Sequence, residues 1–295
     1  MRSRVTGVGS GQEYNKIPRR DGAFTKEKKA ITVNVKRRIA AALFAALLAF
    51  APQRPAAAGP SLDASGFVLV GEAAPDVIQE IRYATTFNFV GCRVDGYEQP
   101  CALLTREAAA ALKNVSDDLI RQGYRLKIYD AYRPQRAVDH FVRWARDAGD
   151  CSMKKWFYPA LDKSQIFKKG YVSARSAHCR GSTVDVTLFE MSSGRDADMG
   201  SPFDFFDEIS RFDGTPALTK RQRANRRLLR DAMTKRGFRA ISGEWWHFTL
   251  KDEPYPTTAF DFPVSAESLR GRAAAGAPAE ERDENMKVPE EIPEK

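Results

Sequence analysis

The sequence predicts an α+β fold, a single compact domain in which a central antiparallel sheet carries a metal site between flanking helices. Three observations predict it. Helical periodicity runs through residues 105–123 and 221–236, period-two alternation runs through 183–188 and 245–250, and no internal repeat is visible.

The elements follow in chain order. After a Gly59-Pro60 junction, the apolar run Phe67–Val70 reads as a strand, and the aromatic-rich stretch Arg82–Gly91 reads as irregular. Thr105 is a helix N-cap with Glu107 in the first turn. Ala108, Leu112, Val115 and Leu119 then recur at helical spacing, and Gly123 ends the helix. Leu126-Lys127-Ile128 alternates as a strand leading into Tyr129–Arg133. Pro134 suits the first position of a second helix, with Ala137, Phe141 and Trp144 on one face and Gly149 beyond its end. Residues 150–172 are less regular. In Thr183–Leu188, Val184, Val186 and Leu188 share one face of a strand and Asp185 and Thr187 the other. A helix over Arg221–Arg236 carries Ala224, Leu228 and Ala232 and stops before Gly237. The last strand, Trp245–Leu250, sets Trp246, Phe248 and Leu250 against Trp245, His247 and Thr249.

Charge distribution narrows the function classes. The net charge is +9, but residues 1–58 hold 12 of the 47 basic and 3 of the 38 acidic residues, leaving 35 of each in 59–295. A nucleic-acid groove needs clustered positive charge in the folded part, so nucleic acid is not an expected partner. Residues 1–58 instead read as an export leader: Lys36-Arg37-Arg38, the apolar run Ile39–Ala51, then Ala56-Ala57-Ala58 as a cleavage site. Its thirteen apolar residues fall short of the about 20 that span a bilayer, so no stable membrane insertion is expected once the leader is removed. An uncleaved anchor or a buried helix is the other reading. The expected location is periplasmic or otherwise extracytoplasmic. Residues 59–269 form the expected domain, and 270–295, without an aromatic residue, read as a disordered tail.

Export makes the four cysteines a candidate disulfide set. Cys92–Cys101 and Cys151–Cys179 are the favoured pairs, with free thiols as the alternative.

The chemistry-bearing residues are few. Of three histidines, His178 lies seven residues before Asp185, and His247 closes Glu244-Trp245-Trp246-His247. Asp185 and His247 each point away from the apolar face of their strand, so both can meet a common cleft, and Gly181 allows the turn between His178 and Asp185. Two imidazoles and a carboxylate form a catalytic zinc set with a fourth position for water. Glu244, three residues from His247, is placed to act as a base, and Arg133 is a candidate to steady an oxyanion. The competing reading makes the histidines structural and pairs Asp185 with an arginine. His140 lacks an acidic or histidine partner at ligand spacing and is read as structural. The Trp245-Trp246 pair reads equally as core or as substrate wall.

Five ordered blocks go further: Tyr83–Thr86 with Asn88-Phe89, Tyr129–Pro134, Ser176–Thr187, Asp198–Asp204 and Glu244–His247. Through them the segment Phe67–Leu250 resembles the D-alanyl-D-alanine dipeptidases (VanX-like, peptidase family M15). The resemblance implies one zinc ion at His178, Asp185 and His247, Glu244 as general base and acid, and Arg133 on the oxygen of the tetrahedral intermediate. It implies that Asp204 holds the free ammonium of a D-Ala-D-Ala-type dipeptide, with Tyr83 and Ser176 lining that end. A helix cap is the alternative for Asp204. The alternative functions are a D,D-carboxypeptidase of peptidoglycan stem peptides and a non-catalytic cell-wall-binding relative.

Overall fold

The computed structural model describes residues 61–212 and 217–270, so the predicted leader, and the predicted tail beyond Arg270, lie outside the described residues. A short antiparallel pair comes first: β1 (Phe67–Leu69) on β3 (Leu103–Thr105), with the one-turn helix α1 (Val70–Ala73) directly after β1. The main sheet runs in the order β2 (Ile78–Gln79), β4 (Tyr124–Asp130), β5 (Thr183–Glu190), β8 (His247–Leu250) and β7 (Phe238–Ala240). A short strand, β6 (Arg195–Asp196), also pairs with β5. The sheet is antiparallel as expected except at one edge, where β2 lies parallel to β4, so it is mixed.

Helix α2 (Arg106–Ile120) begins where Thr105 Oγ1 accepts the Ala108 N–H at 3.3 Å. It buries Ala108, Leu112, Val115 and Leu119 completely. Helix α3 (Gln135–Arg146) begins one residue after Pro134, which is its extended N-cap and not its first helical position, and turns Ala137, Phe141 and Trp144 into the core. A single turn, α4 (Lys154–Phe157), punctuates the irregular region, and α6 (Glu267–Arg270) closes the described chain.

Helix α5 (Lys220–Lys235) starts with a capping box, in which Thr219 Oγ1 accepts the Gln222 N–H and Gln222 Oε1 accepts the Thr219 N–H. Its Arg226 is 1% exposed and fans out over one loop, donating to the carbonyls of Met199 (2.6 Å), Ile209 (2.9 Å) and Arg211 (2.6 Å). Removing that fork strands three carbonyls that water reaches poorly. Arg226→Met is therefore expected to cost about 3 kcal/mol of stability, read as a lowered urea midpoint at unchanged slope. A loss below about 0.5 kcal/mol would show that the loop holds itself.

The strand register positions the functional side chains. Asp185 faces His247 across β5 and β8, as alternation in both strands requires. Between β4 and β5 the register slips: Ile128 pairs with Val186, yet Asp130 pairs with Asp185, leaving Tyr129 as the extra residue of a bulge. The bulge turns Asp130 toward the same end of the sheet as Asp185.

Two expectations are corrected. Strand β8 begins at His247, and Trp245 and Trp246 form a turn before it, because the Trp245 N–H is drawn to the Ser210 carbonyl at 3.0 Å. The disulfides Cys92–Cys101 and Cys151–Cys179 are absent: all four thiols are free. Cys179 is buried with its sulfur 3.7 Å from Gln135 Oε1, and exposed Cys151 turns to the Ala148 carbonyl at 3.6 Å. Sequence spacing carries no information on the direction of these Cβ vectors, which decides whether two cysteines can bridge. Among the described residues, no helix is long and apolar enough to cross a membrane.

Candidate active site

His178 sits in a single 3₁₀ turn, Ala177–Arg180, whose first residue is preceded by Ser176; the Ser176 hydroxyl accepts the His178 N–H at 3.3 Å. The turn ends at Gly181 with φ +77°, where a Cβ would come within 2.1 Å of the Phe67 ring, so only glycine fits. The Ala131 carbonyl accepts a hydrogen bond from His178 Nδ1 at 2.7 Å. A carbonyl cannot donate, so Nδ1 carries a proton and Nε2 is the nitrogen turned to the cleft, where a neutral imidazole would offer its lone pair to a metal.

That nitrogen meets two other potential donor atoms. His178 Nε2 lies 3.2 Å from His247 Nδ1 and 3.3 Å from Asp185 Oδ1, and His247 Nδ1 lies 3.1 Å from the same Asp185 oxygen. Tetrahedral bonds of 2.0–2.1 Å have edges of roughly 3.3 Å, so this triangle fits one face of a zinc site. These are the atoms that could hold a divalent ion; no other such group occurs among the described residues. The two imidazoles hold the Asp185 carboxyl far below its ordinary range despite its burial.

Glu244 reaches within 3.6 Å of His247 Nδ1. Enclosure in the cleft raises its pKa, and the neighbouring Asp185 adds to the rise. Arg133 is gripped by Asp130 Oδ2 through Nε and Nη2, both at 2.9 Å, and lies 3.6 Å from Asp185 Oδ2. Its guanidinium stacks on Tyr83 and Phe141, 5.0 and 5.1 Å from the ring centroids. Asp204 is buried and accepts the Tyr83 hydroxyl at 2.8 Å. It adopts φ +59°, a left-handed conformation that an aspartate tolerates at some cost. Burial lifts its pKa well above the usual carboxylate range, with Asp185 contributing.

All eight residues singled out from the sequence line one cleft of about 250 Å³: Tyr83, Arg133, Ser176, His178, Asp185, Asp204, Glu244 and His247. The volume is below the roughly 300–1,000 Å³ of drug-sized pockets and suits a small substrate. Trp246 lines it as a wall, whereas Trp245 is buried behind it and donates Nε1–H to Ser201 Oγ at 2.9 Å. His140 stands outside, bonded to Asp95.

Sequence reasoning missed Asp130. It is fully buried, accepts the Tyr97 hydroxyl at 2.6 Å, holds Arg133, and comes within 3.4 Å of His178 Nδ1. The signal available was its place three residues before Arg133, the separation of a short carboxylate–guanidinium pair. Arg175, on the cleft wall, was also passed over.

A mixed sheet thus presents two histidines and an aspartate, a donor set that could hold a divalent metal, with a glutamate beside them in a small cleft. The chain matches the family model described as D-ala-D-ala dipeptidase, of the M15 peptidases, over residues 63–265. It is 42% identical over 199 residues to the D-alanyl-D-alanine dipeptidase of Enterococcus faecium, covering 68% of this chain and 98% of that protein. The Streptomyces coelicolor D-alanyl-D-alanine dipeptidase matches with the same identity and length, again over 98% of its own chain. The Escherichia coli protein of that name is 34% identical over 189 residues, 64% of this chain and 86% of its own. The chain therefore belongs to the D-Ala-D-Ala dipeptidase family of M15 peptidases.

Proposed function

We propose that the protein is a zinc dipeptidase that hydrolyses D-alanyl-D-alanine to free D-alanine, exported by its leader to act outside the cytoplasm. The observation that carries the dipeptide reading is Asp204: a buried carboxylate with no ion-pair partner among the described residues, in the same small cleft as the donor triangle. Burial resists ionisation of that group, so a cation from the substrate is what would hold it as a carboxylate, and the free ammonium of a dipeptide supplies one. A longer stem peptide brings an amide there and leaves the carboxylate unmatched.

The residues divide the chemistry among them. Zinc held by His178, Asp185 and His247 would contribute Lewis acidity and activate water near neutral pH. Glu244 accepts the proton of the attacking water and returns it to the departing amine. The raised pKa of Glu244 makes it a stronger base than a free carboxylate. Arg133, its charge balanced and oriented by Asp130, faces the developing oxyanion. Tyr83 fixes the Asp204 carboxylate, and Ser176 fixes the turn that carries His178.

The test is zinc-loaded protein with D-Ala-D-Ala, L-Ala-L-Ala and a pentapeptide ending in D-Ala-D-Ala, following free alanine. Hydrolysis of the first alone is expected; preferential cleavage of the pentapeptide would convert the reading to a D,D-carboxypeptidase. Asp204→Asn is expected to lower kcat/KM on D-Ala-D-Ala by about 10- to 100-fold, mainly through KM. Unchanged kinetics would remove the ammonium anchor.

A further inference from the structure

We infer that Arg175 binds the C-terminal carboxylate of the substrate, making the cleft a reader of both ends of a zwitterionic dipeptide. This rests on the dipeptidase reading and extends it. The cleft holds three carboxylates, Asp185, Asp204 and Glu244, and two guanidinium groups, Arg133 and Arg175. Arg133 is already committed: it grips Asp130, approaches Asp185, and is fixed between two aromatic rings. Arg175 is exposed, and among the described residues its guanidinium has no carboxylate within ion-pairing distance; only its backbone N–H is engaged, by Ser173 Oγ at 3.2 Å. A substrate carboxylate entering a cleft so rich in negative groups needs a cation with free donors, and Arg175 supplies a planar fork for it.

Placement agrees. Residues 170–173 and 175–178 line the cleft from one segment, with Arg175 three residues before His178; Asp204 belongs to a different segment, two residues before Phe206. With the ammonium at Asp204 and the scissile carbonyl at the donor triangle, Arg175, the cleft guanidinium without an acidic partner among the described residues, is the group left for the carboxylate. An added C-terminal residue would shift that carboxylate by about 3.3–3.6 Å, away from the fork. The two charges thus gauge substrate length from both sides.

The experiment compares D-Ala-D-Ala with its C-terminal amide, D-Ala-D-Ala-NH₂, on zinc-loaded parent protein, Arg175→Gln and Arg175→Lys. The parent is expected to prefer the acid by about tenfold or more in kcat/KM, the strength of an exposed charge-assisted hydrogen bond. Arg175→Gln is expected to lose most of that preference and Arg175→Lys to regain part of it. An acid-over-amide ratio in Arg175→Gln equal to the parent's overturns this inference alone. A parent that hydrolyses neither compound overturns the dipeptidase reading and this inference with it.

Discussion

Glu244→Gln is expected to lower kcat on D-Ala-D-Ala by about 10²- to 10⁴-fold while bound zinc stays at the parent level. The substitution keeps the shape of the side chain and removes only its ability to accept a proton. Glu244 is not one of the three donors that converge within 3.3 Å of one another; it approaches the triangle from the side, 3.6 Å from His247 Nδ1. Its carboxylate therefore reaches the space in front of the triangle without closing it. Partial enclosure and the nearby Asp185 raise its pKa, which brings the base closer to the working pH and increases the driving force for taking a proton from water. Steady-state release of D-alanine and elemental analysis, made on the same preparations, read the two halves of the expectation. A variant that turns over within threefold of the parent would assign proton transfer to another group. One that loses zinc would make Glu244 a ligand.

The site was legible where local rules govern it. Asp185 and His247 occupy the polar positions of two strands whose other faces are Val184, Val186 and Phe248, so alternation alone directs them to one side. Gly181 was legible as the residue that lets the chain turn sharply between His178 and Asp185, whereas the Phe67 ring that fills its side-chain space was not. What escaped depends on long-range partners. Asp130 is set behind Arg133 and His178 by a one-residue slip at Tyr129, which no period-two pattern encodes. The Trp245-Trp246 pair continues the alternation of β8 in sequence, yet it turns away because Ser210, 35 positions earlier, takes the Trp245 N–H. The cysteine pairing failed for a similar reason: an even count fixes the number of possible bridges and not which sulfurs meet.

The same long-range network gives Arg226 a functional consequence. The loop it staples, residues 199–211, contains Asp204, and Ser201 of that loop accepts the Trp245 indole N–H one residue after Glu244. The proposed ammonium anchor and the proposed base are thus referenced to one buried guanidinium.

His178→Ala is expected to abolish detectable dipeptide hydrolysis and to reduce bound zinc from one per chain to near zero. His178 supplies one corner of the donor triangle, and its Nδ1–H···O=C bond to Ala131 fixes its tautomer, so no neighbouring side chain substitutes for it. Two corners, Asp185 Oδ1 and His247 Nδ1, are left, one fewer than the three protein ligands of an ordinary catalytic zinc site. Metal linkage adds a second readout that is independent of turnover. Zinc held at this site and present at about 1,000 times its dissociation constant would stabilise the folded parent by about 4 kcal/mol, roughly 10 °C in Tm for a domain of this size. A chelator should remove that increment from the parent and leave His178→Ala unchanged, since the variant has no metal to lose. If instead the parent melts at the same temperature with and without chelator and keeps its activity, the triangle is a hydrogen-bonded cluster and the metal assignment falls.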